Sequence, residues 1–314
     1  MYQAIFQVPI LDLSEYKYDP MAPLLLDDYR LLDPCSELID SVREGLNTGD
    51  FFQVFGSQVP TRLPRARQAS IALFEHPTEV LENRYGQPDL FRQRGYSPFG
   101  GEKSVDSDQV DLHRQFWMSG HLAESHLGEI EDRMFDKYDV DPDDLSPYFG
   151  QEIRAILSES IHISRIVLRC FETIFNLDAG ELVAKTMGAD SVIRTLFYES
   201  SIPNSILAGE LDDINLITVL SGDMWGLEVL VDGSFYPVLI RPDCVLLNLG
   251  EMLNQLSGCE RLGRIRHRVV AKPGVHNPRI QFATFIHLLR DTQLLNNLRC
   301  GDWFSQRIKE IQAK

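Results

Sequence analysis

The chain has 314 residues, 44% of them hydrophobic, which suits one large domain with a substantial core. Thirty basic and 46 acidic residues give a net charge of −16, a field that repels a phosphate backbone and excludes nucleic acid as the expected partner. There is no apolar run of membrane-spanning length and no basic segment followed by an apolar core at the N-terminus. The five cysteines are widely spaced without a CxxC pair, so a cytoplasmic protein with reduced thiols and no membrane partner is expected.

In chain order, short strands are expected at Ile5–Leu13 and Phe51–Phe55, with helical patterns at Ser36–Leu46 and Leu63–Phe74. Residues 145–176 read as a long helix. Ile153, Ile156, Leu157, Ile161, Leu168, Phe171 and Phe175 recur at helical spacing, and Ser164 is a small interruption of that face. From about Asp190 the texture becomes β-rich. Strands are expected at Val192–Tyr198, Leu216–Leu220, Leu227–Val231, Tyr236–Ile240, Cys244–Leu249, Arg264–Val270 and Ile280–Ile286. Asp232-Gly233 signals a hairpin turn between two of them, and a final helix is expected at Trp303–Ile311. The order predicts an α+β chain with a double-sheet β barrel buttressed by N-terminal helices. Residues 1–314 form one unit on this reading, with a helix-rich portion over about 1–180 and the principal barrel over 190–290.

The charged clusters have plain explanations. The acidic run from Glu129 to Asp144 lacks the ligand spacing of a calcium loop and reads as solvation or helix capping. Arg264, Arg266 and Arg268 alternate with Ile265 and His267, which puts the arginines on one strand face as a solvated or ion-paired surface.

Several segments carry a pattern in a fixed order. They are Val8-Pro9-Ile10-Leu11-Asp12-Leu13, Asp50-Phe51-Phe52, Arg94-Gly95-Tyr96 and Asp111-Leu112-His113-Arg114-Gln115-Phe116-Trp117. Then follow Asp213-Ile214-Asn215-Leu216-Ile217-Thr218-Val219-Leu220, Asn248-Leu249-Gly250-Glu251-Met252-Leu253, His267-Arg268-Val269-Val270 and Arg279-Ile280-Gln281. Together they resemble the isopenicillin N synthase-like branch of the iron(II)/2-oxoglutarate-dependent oxygenases, over about residues 8–290. The resemblance implies a double-stranded β-helix (jelly-roll, cupin-like) core with flanking N-terminal helices. It also implies Fe(II) and 2-oxoglutarate as cofactors and a small-molecule substrate, with a carboxylate in view and no protein partner indicated.

Iron chemistry of this kind uses two imidazoles and one carboxylate on one face of the metal. The resemblance assigns Asp213 and His267 to that set. Leu211 stands where the first histidine is expected, and it has no donor atom. If Leu211 and Asp213 share a strand, their side chains share a face, while Glu210 and Asp212 point away. Glu210, Asp212 and His276 are the residues to consider as replacement ligands. Arg279 is the implied carboxylate anchor, its planar fork suited to a bidentate pair. Gln281 stands in place of the family serine, and Tyr198 is retained where Leu196 replaces an asparagine. His76, His113, His121, His126, His162 and His287 carry no comparable case, and Phe116 and Trp117 read as core anchors. Two functions follow: an iron oxidoreductase, or a non-catalytic acid-binding or regulatory protein on the same fold.

Overall fold

The computed structural model describes residues 6–16, 26–87, 94–100, 111–119, 141–199, 205–211, 213–259, 262–263, 266–272, 274 and 278–312. Expectations resting on Ile5, Asp212, Arg264, Ile265, His121, His126 and His276 lie outside these residues.

The elements run β1 (Ile10–Asp12), α1 (Leu26–Leu31), α2 (Ser36–Thr48), β2 (Phe51–Phe55), α3 (Val59–Phe74), α4 (Thr78–Tyr85), β3 (Gly95–Ser97), β4 (Arg114–Ser119), α5 (Phe149–Ile174) and α6 (Glu181–Ala184). They continue β5 (Val192–Tyr198), β6 (Ile206–Leu211), β7 (Ile217–Gly222), β8 (Leu227–Val231), β9 (Ser234–Pro237), β10 (Cys244–Leu249), α7 (Glu251–Ser257), β11 (His267–Val270), β12 (Arg279–Ile286) and α8 (Cys300–Gln312).

An eight-stranded sheet in the order β1-β2-β10-β7-β12-β5-β4-β3 faces a four-stranded sheet in the order β6-β11-β8-β9. Strands β5 to β12 pass back and forth between the two sheets, with the β8–β9 hairpin staying in the small one, in the manner of a double-stranded β-helix, as expected. Strands β1 and β2 from the N-terminal portion complete the edge of the larger sheet through β10.

Alternation along each strand separates two cores. One face of the large sheet packs on the helices: Val54, Phe116, Ile193, Phe197, Val219, Val245, Leu247 and Phe282 meet Ile153, Ile156 and Phe171 of α5. The opposite face lines the barrel lumen with Phe51, Trp117, Leu196, Tyr198, Leu220, Leu246 and Phe285, against Val229 and Val269 from the small sheet. Ser164 does not break the apolar face of α5, because its hydroxyl donates back to the Ser160 carbonyl at 2.8 Å and is buried with that bond made.

The β8–β9 hairpin closes at Asp232 (φ 47°) and Gly233 (φ 77°), and Val231 pairs with Ser234. Two successive left-handed residues make the twist that a two-residue hairpin needs. The first strand is shorter than expected: Pro9 has no N–H to donate, and Phe6 makes only an isolated bridge to Val238. Strand β6 was not expected, since Ala208 and Gly209 dilute its apolar pattern. The Arg266 and Arg268 side chains pair with Glu210 at 3.6 Å and Glu228 at 2.8 Å, so this face is ion-paired. Among the described residues no helix is long and apolar enough to cross a membrane.

Candidate functional site in the barrel lumen

Asp213 lies in the connection between β6 and β7, 8% exposed. Its Oδ2 accepts from Thr218 Oγ1 at 2.7 Å and from Asn248 Nδ2 at 2.8 Å. Thr218 in turn accepts from Asn215 Nδ2 at 3.0 Å. The Asn-x-Gly motif thereby acquires a physical role. Asn248 grips the Asp213 carboxylate, while the backbone after it grips the Asp213 loop. Gly250 N–H donates to the Leu216 carbonyl at 3.0 Å, Glu251 N–H to that of Asp213 at 2.7 Å, and Met252 N–H to that of Asn215 at 3.2 Å.

His267 opens β11 and is 8% exposed. Its ring meets the Phe51 ring edge-on, with centroids 6.2 Å apart. Phe51 is the register partner of Asn248. Asp213 is thus joined to Asn248 by a hydrogen bond, Asn248 to Phe51 by strand register, and Phe51 to His267 by ring contact. His267 is also the backbone partner of Leu211. One expectation needs correction here. Leu211 ends β6 and Asp213 lies beyond it, so strand alternation does not relate these two positions. Glu210 is engaged with Arg266. Among the described residues no group of three or more His, Cys, Asp or Glu side chains is arranged to hold a metal.

Arg279 opens β12 and is fully buried. Its Nε donates to the Trp225 carbonyl at 2.9 Å and its Nη1 to Gln281 Oε1 at 2.9 Å. The guanidinium lies 4.8 Å from the centroid of the Tyr198 ring, and Tyr198 is its register partner on β5. Arg279, Gln281 and Tyr198 are thus together. Burial pushes the arginine pKa down. Arg279 Nη2 is buried with no hydrogen-bond partner.

His113, which the sequence reading passed over, belongs to this end of the lumen. Its ring lies 5.1 Å from the Tyr198 ring, 4% exposed. Burial, then the Arg194 and Arg279 charges, push its pKa down to about 3, so the imidazole is neutral. The signal was the alternation of His113, Gln115 and Trp117 across a segment whose even positions are apolar or arginine. Thr218 and Asn248 were visible only as parts of motifs, and their bonds to Asp213 depend on strands far apart in sequence.

Residues 189–288 match the 2OG-Fe(II) oxygenase superfamily. That stretch is a 2OG-Fe(II) oxygenase superfamily domain. It is 25% identical over 276 residues to clavatol oxidase of Penicillium crustosum, covering 80% of this chain and 78% of that protein. It is 32% identical over 207 residues to a 2-oxoglutarate-dependent dioxygenase of Gibberella zeae, covering 63% and 58% respectively. A solved 2OG-Fe(II) oxygenase family protein of Caulobacter crescentus superposes with a TM-score of 0.77 at 24% identity, covering 97% of this chain and 99% of that one. A full-length Neurospora crassa protein, solved in complex with alpha-KG, superposes with a TM-score of 0.74 at 20% identity, covering 96% and 95%. These likenesses establish the fold. The named relatives include 2-oxoglutarate-dependent oxidoreductases.

The residues present fit the two expected cofactors unequally. A fully buried guanidinium with one nitrogen unpaired fits a carboxylate. For iron the described residues offer one carboxylate and one imidazole, Asp213 and His267, and Leu211 adds no donor. That is two of the three protein ligands in a facial triad.

Proposed function

We propose that this chain is an iron-dependent oxidoreductase of the 2-oxoglutarate type that takes a small carboxylic acid into its barrel lumen. The observation that carries the reading is Arg279, fully buried, with Nη2 unpaired and Tyr198 beside it. An unpaired buried donor costs about 1–3 kcal/mol, and a carboxylate oxygen removes that cost. Asp213 and His267 are the proposed protein ligands to Fe(II), with Thr218 and Asn248 orienting the carboxylate. Bound there with 2-oxoglutarate, iron would supply the oxidising power for hydroxylation, desaturation or ring closure. The chain's own part is to bind and orient the acid and to keep the lumen dry. Residues 1–314 act as one unit on this reading, because β1 and β2 complete the large sheet. We place the protein in the cytoplasm, with no nucleic-acid or membrane partner.

That the described residues offer no third donor supports a second reading, in which the same lumen binds an acid without turnover. Anaerobic titration with Fe(II), followed by oxygen uptake and succinate formation from 2-oxoglutarate, separates the two. Stoichiometric iron with succinate release is expected from the oxidoreductase. Acid binding that depends on Arg279, without oxygen uptake at saturating iron, would leave only the second.

A further inference from the structure

The large sheet lays its lumen side chains in rows across the strands. Phe285 on β12 pairs with Val192 on β5 and Thr218 on β7, and Thr218 pairs with Asn248 on β10. This row carries the grip on Asp213. In the next lumen-facing row Ala283 pairs with Leu220 and Arg194, and Arg194 pairs with Trp117 on β4. Arg279 pairs with Tyr198, further along β5. Same-face residues on a strand stand about 7 Å apart, so Arg194 lies roughly 13 Å along β5 from the Arg279 level and one row from the Asp213 end. The lumen therefore carries two arginines at different depths.

Arg194 faces inward, since Val192 and Leu196, its same-face neighbours, belong to the lumen core. Its guanidinium carbon lies 4.9 Å from the centroid of the Trp117 ring and 5.0 Å from that of Phe285. Those two rings stack on each other at 5.9 Å. After burial, the Arg194 charge is the next cause of the lowered His113 pKa, so that charge acts inside the lumen. An aliphatic side chain would pack this wall, as Leu196 does one row away. A guanidinium held against rings has its flat face covered and its N–H edge left to meet an acceptor. The indole adds a donor. Trp117 Nε1 is buried and, among the described residues, has no hydrogen-bond partner, and it belongs to the ring that Arg194 covers. An unmet buried donor carries a desolvation cost that a ligand acceptor removes. The walls beside this pair are hydrocarbon: Val192, Leu196, Leu220, Ala283 and Phe285.

We propose that Arg194 and Trp117 anchor the substrate itself, holding the carboxylate of an acid whose apolar body extends toward the Asp213 and His267 end. Arg279 is left to 2-oxoglutarate. The substrate class is a carboxylic acid with an apolar body, medium-chain or aryl-substituted. The guanidinium edge and the indole N–H suit a planar pair of carboxylate oxygens. The hydrocarbon walls select the body, because hydroxyl groups set against them would lose their water without gaining partners. This rests on the reading of the lumen as a 2-oxoglutarate-type active site and gives the substrate its own place in it.

The test uses the full chain in anaerobic calorimetry with Fe(II) present. The probes are 3-phenylpropanoate, its neutral counterpart 3-phenylpropanamide, and 2-oxoglutarate. The phenyl acid is expected to bind at least tenfold more tightly than the amide. Arg194→Met should abolish that preference and leave 2-oxoglutarate affinity within twofold. Arg279→Ala should do the reverse, losing 2-oxoglutarate and keeping the preference for the phenyl acid. In parallel, metal-free protein with ¹⁵N-labelled tryptophan should show the Trp117 Nε1 signal, assigned with Trp117→Phe, move with 3-phenylpropanoate and stay in place with 2-oxoglutarate. This readout stands even if Arg194→Met does not fold. Equal binding of phenyl acid and amide by wild type, or binding of neither, overturns the Arg194 anchor. So does a preference that survives Arg194→Met, a preference lost in Arg279→Ala, or a Trp117 signal that does not move. In each of those cases 2-oxoglutarate binding that depends on Arg279 leaves the active-site reading intact. Failure of 2-oxoglutarate to bind, with the phenyl acid held by Arg194, overturns that reading and upholds the anchor.

Discussion

Gln281 Oε1 accepts a hydrogen bond from Arg279 Nη1 at 2.9 Å, so an internal amide occupies one arm of the fork that would otherwise meet a carboxylate. The other arm, Nη2, is unpaired. A carboxylate meeting this arginine is therefore held through one nitrogen unless Gln281 swings away, and its Nε2 lies against Met224 Sδ at 3.8 Å. Gln281→Ser removes the internal acceptor and shortens the side chain. We expect 2-oxoglutarate affinity to rise roughly tenfold, the worth of one charge-assisted hydrogen bond of about 1.5 kcal/mol. Arg279→Lys should not reproduce wild-type binding, because an ammonium lacks the planar fork. Anaerobic calorimetry decides, and a Gln281→Ser protein that binds no better than wild type would remove Gln281 as the limiting feature.

Leu211 pairs with His267 across β6 and β11, which sets the position of the absent imidazole next to a histidine that is present. Leu211→His should raise Fe(II) affinity by about tenfold or more, the range in which single changes around a metal act. His267→Ala should abolish most of the wild-type affinity. The measurement is an anaerobic metal titration of all three proteins. Tight wild-type binding that survives His267→Ala would point to a different ligand set. Turnover is a separate question, because Gln281 still constrains the acid anchor.

The sequence was most legible where a local rule governs. The short β-rich strands at 51–55, 192–198, 227–231 and 244–249 match the structure, as does the Asp232-Gly233 turn. These depend on runs of apolar, β-branched and aromatic residues and on left-handed turn residues, both carried by neighbours in the chain. The site was legible as a set of residue types and not as geometry. The placement of Leu211 and Asp213 on one strand failed because the end of β6 is set by pairing with β11, more than fifty residues away in sequence. His113 was passed over for a related reason. Its importance comes from burial against Tyr198 on β5 and from the charge of Arg279 on β12, and the alternation at 113, 115 and 117 marks a shared face without saying what that face meets.

Buried histidines give the stability a defined pH dependence. Burial is the largest cause of the fall in the His113 pKa to about 3, and it also pushes His162 and His287 down. The folded chain holds the His113 ring neutral and disfavours the charged form of the other two, while the unfolded chain protonates all three near pH 6.5. The unfolded state then binds more protons below that pH, so this contribution is fully present above about 6.5 and is lost as pH falls toward the folded values. Each such ring gives a slope approaching about 1.4 kcal/mol per pH unit. Urea unfolding between pH 7.5 and 5 should show the decline, and His113→Phe should show a shallower one. Stability independent of pH over this window would mean that the rings are hydrated or already charged in the folded state.

Gly250 offers a test of how the Asp213 loop is held. A Cβ at this position would stand 2.0 Å from the Asn215 carbonyl oxygen and 2.9 Å from that of Asp213. Both are backbone atoms, so no side chain can swing aside to make room. The φ of −111° suits any residue, which makes the cost steric rather than conformational. Gly250→Ala should therefore push the loop away from α7 and weaken the three backbone bonds that join them. We expect a loss of about 1–3 kcal/mol, the usual cost of overpacking. Fe(II) affinity should fall with it, since the displaced Asp213 leaves Thr218 and Asn248. Gly233→Ala is the control. Its Cβ meets nothing within 4 Å, and its φ of 77° costs roughly 1–2 kcal/mol by itself. Both variants should be destabilised to a similar extent by urea unfolding, with only Gly250→Ala losing metal affinity. Equal metal binding by the two would show that the Asp213 loop keeps its place without the grip of the Asn248-Leu249-Gly250 turn.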